Sequence, residues 1–372
     1  PWFWLRDNCR CASCVNQDTM QRNFNTFDIP ADIKATEALS EEAGVRVKWS
    51  DGHESFYRWE FIVGYINGLK PTDLVTDFRR AYFGAEIANS PPEVTYSSVM
   101  SSSQGVGALT AKIMKHGFAF VTETPHEDPA DTQRLLERIA FIRHTHYGGF
   151  YDFTPDLAMA DTAYTNLALP AHTDTTYFTD PAGLQSFHLL SHTPAPGADP
   201  TKGAEGGKSL LVDGFHAAKI LKKEDPGAFK VLISKGVLWH ASGNKGISIA
   251  PYRRCPVIEG NWKHIKRIRW NNDDRGVLPL DRPNERNPIT AVKWYDAARK
   301  WDAILRRKEM ECWIQLEPGK VLIFDNWRVL HGRSAFEGIR RICGGYINRD
   351  DFISRWKNTN FSPDQVHDSV RG

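Results

Sequence analysis

The 372-residue sequence lacks any long apolar run; none approaches the roughly 18–20 residues that a membrane-spanning helix needs. It also lacks an excess of one charge. Lys and Arg number 47 against 45 Asp and Glu, a net of +2, and no basic block concentrates that surplus. A general binder of nucleic acid or of membrane surfaces carries a concentrated positive field, so neither is expected as a partner. There is no G-x-G-x-x-G or Walker-type loop to point to nucleotide chemistry, and no internal repeat. Six cysteines are too few for a disulfide scaffold. At 41% hydrophobic and 25% charged, the composition excludes disordered and fibrous classes. An initiator Met is missing too: the chain opens on Pro1-Trp2-Phe3-Trp4-Leu5, which reads as a chain without its true N-terminus and leaves any targeting segment unreadable.

What the sequence does hold is concentrated. Three of the six cysteines, Cys9, Cys11 and Cys14, fall within six positions. Thiolates this close can converge on one soft cation, and tetrahedral zinc needs a fourth donor, for which His53 in a Gly-containing turn is the nearest histidine. A site closed by four protein ligands is structural rather than catalytic; the alternative is three reduced structural or surface thiols.

The first 70 or so residues alternate short apolar segments (Val45–Trp49, Glu54–Tyr57) with polar turns and end in an amphipathic stretch, Trp59–Asn67. That predicts a small β-rich unit with one terminal helix. The pattern weakens between Lys70 and Gln104, where a domain boundary is expected: residues 1–80 as an N-terminal zinc-binding domain, 93–372 as the main one. Beyond it come helical patterns at Gly107–Lys115, Pro129–His146, Phe215–Glu224 and Thr290–Arg307. Strands are expected at Gly117–Val121, Leu184–Leu190, Ser209–Val212, Ile265–Trp270, Lys320–Phe324 and Ile342–Ile347, with a loop insertion at 193–207. The fold class this predicts is mainly β with helices, a sandwich or jelly roll rather than a βαβ fold.

Two of the thirteen histidines stand in an H-x-D pattern, His126 and His172. Side chains at i and i+2 of an extended segment point the same way, so a strand end can offer imidazole and carboxylate to one metal. His126, in Thr-Pro-His-Glu-Asp-Pro, reads as a turn and helix cap instead. His172 and Asp174 sit in β-prone sequence, and His331, after the strand-like Val321–Trp327, is the best third ligand. Two histidines and a carboxylate on one face hold non-haem Fe(II) and leave positions open for oxygen and a chelating substrate. Arg340 and Arg341 follow. A strand sends adjacent side chains to opposite faces, so one of the pair enters the sandwich, where a buried guanidinium needs an anion such as the far carboxylate of 2-oxoglutarate.

Asp161–Phe178, Leu210–Phe215 and Phe324–Arg333 resemble the trimethyllysine dioxygenases, in the carnitine-synthesis branch of the Fe(II)/2-oxoglutarate oxygenases; Trp4–Cys9 is shared with the sister γ-butyrobetaine dioxygenases. The resemblance runs from Trp4 to about Phe352. It implies a double-stranded β-helix catalytic domain with a small N-terminal zinc domain, a homodimer, and an intracellular location in the mitochondrial matrix or the cytoplasm. It implies Fe(II) on His172, Asp174 and His331, 2-oxoglutarate on Arg340, ascorbate as a cofactor, O2 as cosubstrate, and zinc on Cys9, Cys11, Cys14 and His53. Tyr147, Tyr151, Tyr164 and Tyr346 occupy the positions of a cage for a quaternary ammonium, whose diffuse charge is best held by aromatic faces. The chain departs from the pattern twice: relatives carry Trp where Tyr151 stands, and some trimethyllysine enzymes lack the cysteine found here at Cys11.

The cage cannot separate trimethyllysine from γ-butyrobetaine, since both carry trimethylammonium. Asp161 stands where γ-butyrobetaine enzymes carry Asn; an ionised carboxylate pairs with an α-ammonium and repels a bare carboxylate, and Asn271 could donate to the neighbouring carboxylate. The expected activity is therefore C3-hydroxylation of trimethyllysine. The alternatives are a γ-butyrobetaine dioxygenase, a non-catalytic trimethylammonium-binding module, and a zinc-finger-like nucleic-acid module in residues 1–70.

Overall fold

The computed structural model describes all residues except 69–72, 155–164, 196, 198–203, 279, 281–290 and 372. The chain divides into two compact units, Pro1–Leu74 with His367–Gly372, and Val75–Val366.

In the smaller unit three antiparallel strands, Ala35–Glu41, Gly44–Trp49 and Glu54–Arg58, lie side by side in chain order, and helix Trp59–Ile66 follows. Alternation explains the core: Val47, Trp49 and Tyr57 point inward onto Ile29 and Ile33. The polar ends of the buried aromatics are satisfied, with Trp49 Nε1 donating to Ser55 Oγ at 2.9 Å and the Tyr57 hydroxyl donating to Leu5 O. Gly44 is required where the hairpin closes, because a Cβ there would lie 2.1 Å from Tyr57 O.

The larger unit is a double-stranded β-helix. One sheet has four antiparallel strands in the order Cys312–Ile314, Ser209–Asp213, Val329–Arg333, Leu169–His172. The other runs Glu93–Thr95, Phe118–Thr122, Val321–Asp325, Leu184–Thr193, Ile339–Gly344, Tyr151–Phe153, with Tyr346–Ile347 pairing back onto Leu184–Thr193. The sheets face each other through Phe118, Phe120, Leu189, Leu211, Phe324 and Val329. Strand Ser209–Asp213 is buried at every position, which is why its centre, Leu210–Val212, reads as an unbroken apolar run. Leu211 faces the opposite sheet, while Leu210 and Val212 face helices Gly214–Glu224, Pro226–Ser234 and Ala291–Leu305 outside. Each such aliphatic side chain contributes roughly 1.5–3 kcal/mol on burial. Helices Ser103–His116, Pro129–Ile139 and Arg349–Asn360 pack outside the other sheet. Among the described residues, no helix is long and apolar enough to cross a membrane.

The structure departs from the sequence pattern in three places. The helix expected over Pro129–His146 stops at Ile139: Ala140 is extended, Ile142 bridges to Ile347, and Arg143 N–H donates to Tyr346 O, so sheet pairing overrides the helical period. The weak stretch 70–104 contributes from Val75 onward to the larger unit, supplying its parallel edge strand Glu93–Thr95 and helix Tyr96–Ser101. The run Ile342–Ile347 is two strands broken after Gly344, whose missing side chain lets the backbone approach; a Cβ there would meet Ser186 O at 2.1 Å.

Candidate active site

The edge strand Leu169–His172 pairs with Val329–Arg333 so that His172 lies directly opposite His331, their rings 4.3 Å apart. Register thus joins two residues far apart in sequence. The strand ends at His172, and Asp174 is delivered by a turn rather than by continued alternation. Asn326, buried, clamps that turn: its Oδ1 accepts from Asp174 N–H at 2.8 Å and its Nδ2 donates to Asp174 O at 3.0 Å. Thr175 then takes a left-handed φ of 55°, costly for a β-branched residue, while its Oγ1 accepts from Ala182 N–H at 2.9 Å.

The two oxygens of Asp174 are divided. Oδ1 lies 3.2 Å from His172 Nε2 and 3.8 Å from His331 Nε2. Oδ2 accepts from Gln185 Nε2 and from the Tyr346 hydroxyl, each at 2.7 Å. His172 Nδ1 pairs with Pro170 O at 2.8 Å; as a donor to that carbonyl it turns Nε2 toward Asp174. Burial lowers the His172 pKa, but the hydrogen bond and charge of Asp174 overcome this and raise it. His331 is buried against Phe187 and Phe324. Its pKa is pushed down to about 3 by burial and then by the neighbouring charge of His172. Burial pushes the Asp174 carboxyl up, but His331 and His172 overcome this and hold it well below the usual range. A neutral imidazole beside an ionised carboxylate is a set ready to take a cation. The three donor atoms lie within 4.8 Å of one another, and their N,N,O chemistry fits Fe(II).

Alternation admits Arg340 and not Arg341. Arg341 forms an exposed bidentate pair with Asp152 at 2.9 and 2.5 Å. Arg340 is buried without a carboxylate partner among the described residues, and its Nε makes no hydrogen bond. Its guanidinium sits 5.0 Å from the Phe336 ring, which Arg333 shares at 4.7 Å. Burial, then the charge of Arg333, brings Arg340 down to about 10.

A single cavity of about 450 Å³ is lined by His172, Asp174, His331 and Arg340, and also by Tyr147, Tyr151, Tyr346 and Asn271. The Tyr151 and Tyr346 rings meet edge to face at 5.9 Å, and the Tyr151 hydroxyl donates to Ser186 O at 2.6 Å. Asn271 Oδ1 accepts from Asp273 N–H at 3.1 Å. Tyr164 and Asp161 fall outside the described residues. Sequence reasoning missed Tyr177, which lines the cavity with its hydroxyl 3.5 Å from that of Tyr147; it stands within the stretch that carries His172, and its type was signal enough. It also missed Gln185, a polar residue in strand Leu184–Thr193, Asn326, in the turn after strand Val321–Asp325, and the segment His240–Asn244, which closes another wall.

The second cluster lies in the smaller unit. Cys9, Cys11 and Cys14 Sγ stand 3.3, 3.6 and 3.5 Å from His53 Nε2, and all six cysteines of the chain are free thiols. Arg6 donates to Cys14 Sγ at 3.5 Å and pairs with Asp51, which also accepts from His53 N–H. Four convergent S and N donors with an outer cation fit a tetrahedral zinc site.

Residues 72–346 match the family described as taurine catabolism dioxygenase TauD, TfdA, and residues 1–63 match gamma-butyrobetaine hydroxylase-like, N-terminal. A trimethyllysine dioxygenase of Neurospora crassa is 58% identical, over 100% of this chain and 83% of that protein. The chain belongs to the trimethyllysine dioxygenase family. Further members are those of Meyerozyma guilliermondii, 40% identical over 99% of this chain and 92% of that protein, and of Homo sapiens, named mitochondrial, 38% identical over 95% and 81%. As a member of this family the chain is an Fe(II)- and 2-oxoglutarate-dependent dioxygenase.

Proposed function

We propose that the chain hydroxylates C3 of Nε-trimethyllysine, the first step of carnitine synthesis, while 2-oxoglutarate is decarboxylated to succinate and CO2. The observation that carries the reading is that one cavity is lined both by His172, Asp174, His331 and Arg340 and by a group of tyrosines. His172, Asp174 and His331 would hold Fe(II), which when bound supplies the oxygen activation that couples decarboxylation to insertion of one oxygen atom into a C–H bond.

The chain's own share is binding and aim. Arg340, desolvated and without an acidic partner among the described residues, receives the far carboxylate of 2-oxoglutarate through its planar fork. Tyr147, Tyr151 and Tyr346, with Tyr164 and with Tyr177 as an added wall, surround the trimethylammonium, each face contributing roughly 0.5–2 kcal/mol. At the other end Asp161 pairs with the α-ammonium. Asn271 has committed its Oδ1 to Asp273 N–H, which leaves its Nδ2 to donate to the α-carboxylate. Pinned at both ends, the alkyl chain can present only its middle carbons to the metal side, and this sets the regiochemistry. Resemblance to the family supports three further proposals: ascorbate as a cofactor, structural zinc on Cys9, Cys11, Cys14 and His53, and a homodimer. The mitochondrial names of animal relatives support a matrix location, with the cytoplasm as the other compartment.

The test is mass spectrometry of trimethyllysine and γ-butyrobetaine after incubation with protein, iron, ascorbate and 2-oxoglutarate. Trimethyllysine should gain one oxygen with an equal amount of succinate, and Asp161→Asn should lose trimethyllysine turnover while gaining relative activity on γ-butyrobetaine. A wild type that prefers γ-butyrobetaine would overturn the substrate, and betaine binding without succinate would make the chain a binding module.

A further inference from the structure

Tyr346 enters the reading above as one wall of an ammonium cage, yet its hydroxyl points elsewhere. Tyr346 and Gln185 are direct cross-strand partners, so their side chains rise from the same face of the sheet. Both donate to one atom, Asp174 Oδ2, at 2.7 Å. That pair of donors occupies Oδ2 and leaves Oδ1 toward His172 and His331 Nε2. The ring of the same tyrosine lines the cavity and touches Tyr151.

We infer that Tyr346 belongs to both sites at once: with Gln185 it holds Asp174 as a one-oxygen ligand, and its hydroxyl couples the bound cation to the metal. The inference rests on the proposed cage and metal assignments. A phenol donating to a full carboxylate is polarised toward phenolate, and its ring face becomes more negative and more attractive to a cation. A dication on Oδ1 draws charge from the carboxylate, weakens that hydrogen bond and makes the ring a poorer cation host. Linkage makes the effect reciprocal: a trimethylammonium over the ring weakens the donation of Asp174 to the metal by the same factor. Direct repulsion between the two cations acts in the same direction but does not need the hydroxyl, so removing the hydroxyl separates the two.

The experiment titrates Co(II), followed by its visible absorption, and Nε-trimethyllysine, followed by calorimetry, each with and without the other and without 2-oxoglutarate. In the wild type, Co(II) should weaken trimethyllysine binding. Tyr346→Phe keeps the ring; losing the donor that fixes the orientation of Asp174 outweighs the charge the carboxylate regains, so Co(II) should bind about tenfold more weakly. Its mutual weakening of Co(II) and trimethyllysine should be about fivefold smaller than in the wild type. Gln185→Leu should lose Co(II) affinity to a similar degree and keep the wild-type mutual effect, since the tyrosine path is intact. Equal mutual effects in wild type and Tyr346→Phe, or a loss as large in Gln185→Leu, would overturn the coupling while leaving the proposed function standing. A wild type that binds neither probe would overturn the proposed function, and this inference with it.

Discussion

Replacing Arg340 by Met separates stability from cosubstrate binding in opposite directions. Arg340 is 3% exposed, has no acidic partner among the described residues and faces the like charge of Arg333. Burial brings it down to about 10 from the ordinary 12.5. At 1.36 kcal/mol per tenfold change, that desolvation is about 3 kcal/mol of strain carried by the ligand-free protein at neutral pH. Exchange of a buried, poorly compensated charge for an apolar side chain of similar length is neutral to stabilising, by roughly 1–4 kcal/mol. Arg340→Met should therefore melt several degrees higher than wild type when no ligand is present. With 2-oxoglutarate the order should reverse in effect. Loss of one partner of a buried charge pair costs about 2–5 kcal/mol, so the KM for 2-oxoglutarate should rise at least about 30-fold. At a cosubstrate concentration of about 100 times the dissociation constant, the wild type should gain about 2.7 kcal/mol of stability and the variant almost none. Thermal melts with and without 2-oxoglutarate, together with succinate kinetics, read both effects. Arg341→Met is the control: its pair with Asp152 is 43% and 28% exposed, worth at most about 1 kcal/mol, and neither quantity should move. A ligand-free Arg340→Met that melts lower than wild type with an unchanged KM would refute the assignment.

His188 is fully buried, its Nδ1 2.6 Å from Thr132 Oγ1 and its Nε2 accepting from Gly319 N–H, and burial pushes its pKa down to about 4. The folded state thus resists a proton that the unfolded chain takes up near 6.5, so about 3 kcal/mol of stability is present above pH 6.5 and lost as pH falls toward 4. Urea unfolding at pH 7 and pH 4.5 should show a smaller pH dependence in His188→Gln than in wild type, and an identical dependence would remove His188 from the acid response. For the smaller unit, elemental analysis should find about one zinc per chain that survives mild chelation, and Cys9→Ser should lose it together with thermal stability. Protein that stays fully folded and zinc-free after strong chelation would refute a structural role.

Why Gln185 escaped the sequence reading while His172 did not is a matter of what each signal depends on. The H-x-D pair is local: two ligands two positions apart suffice to suggest a metal, and the strand pairing only had to bring His331 opposite His172. The fully buried strands Ser209–Asp213 and Val321–Asp325 were legible for a similar reason, because continuous apolar runs need no knowledge of their neighbours. Gln185 means something only through register, as the cross-strand partner of Tyr346 and within reach of Asp174. Asn326 likewise clamps a turn that lies far from it in sequence. Alternation established that one of Arg340 and Arg341 enters the sandwich, but which one depends on how strand Ile339–Gly344 sits against Leu184–Thr193, where a bulge between Arg341 and Ile342 shifts the register. Thr175 makes the same point at the level of the backbone: a β-branched residue at positive φ breaks the local rule, and it does so between Asp174 and Tyr177, where the turn must present one residue toward His172 and the other to the cavity. A polar residue buried within a strand is therefore the signal to weigh more heavily. Desolvating an amide costs free energy unless a partner is waiting, and in this protein the partner of Gln185 is the carboxylate at the centre of the site.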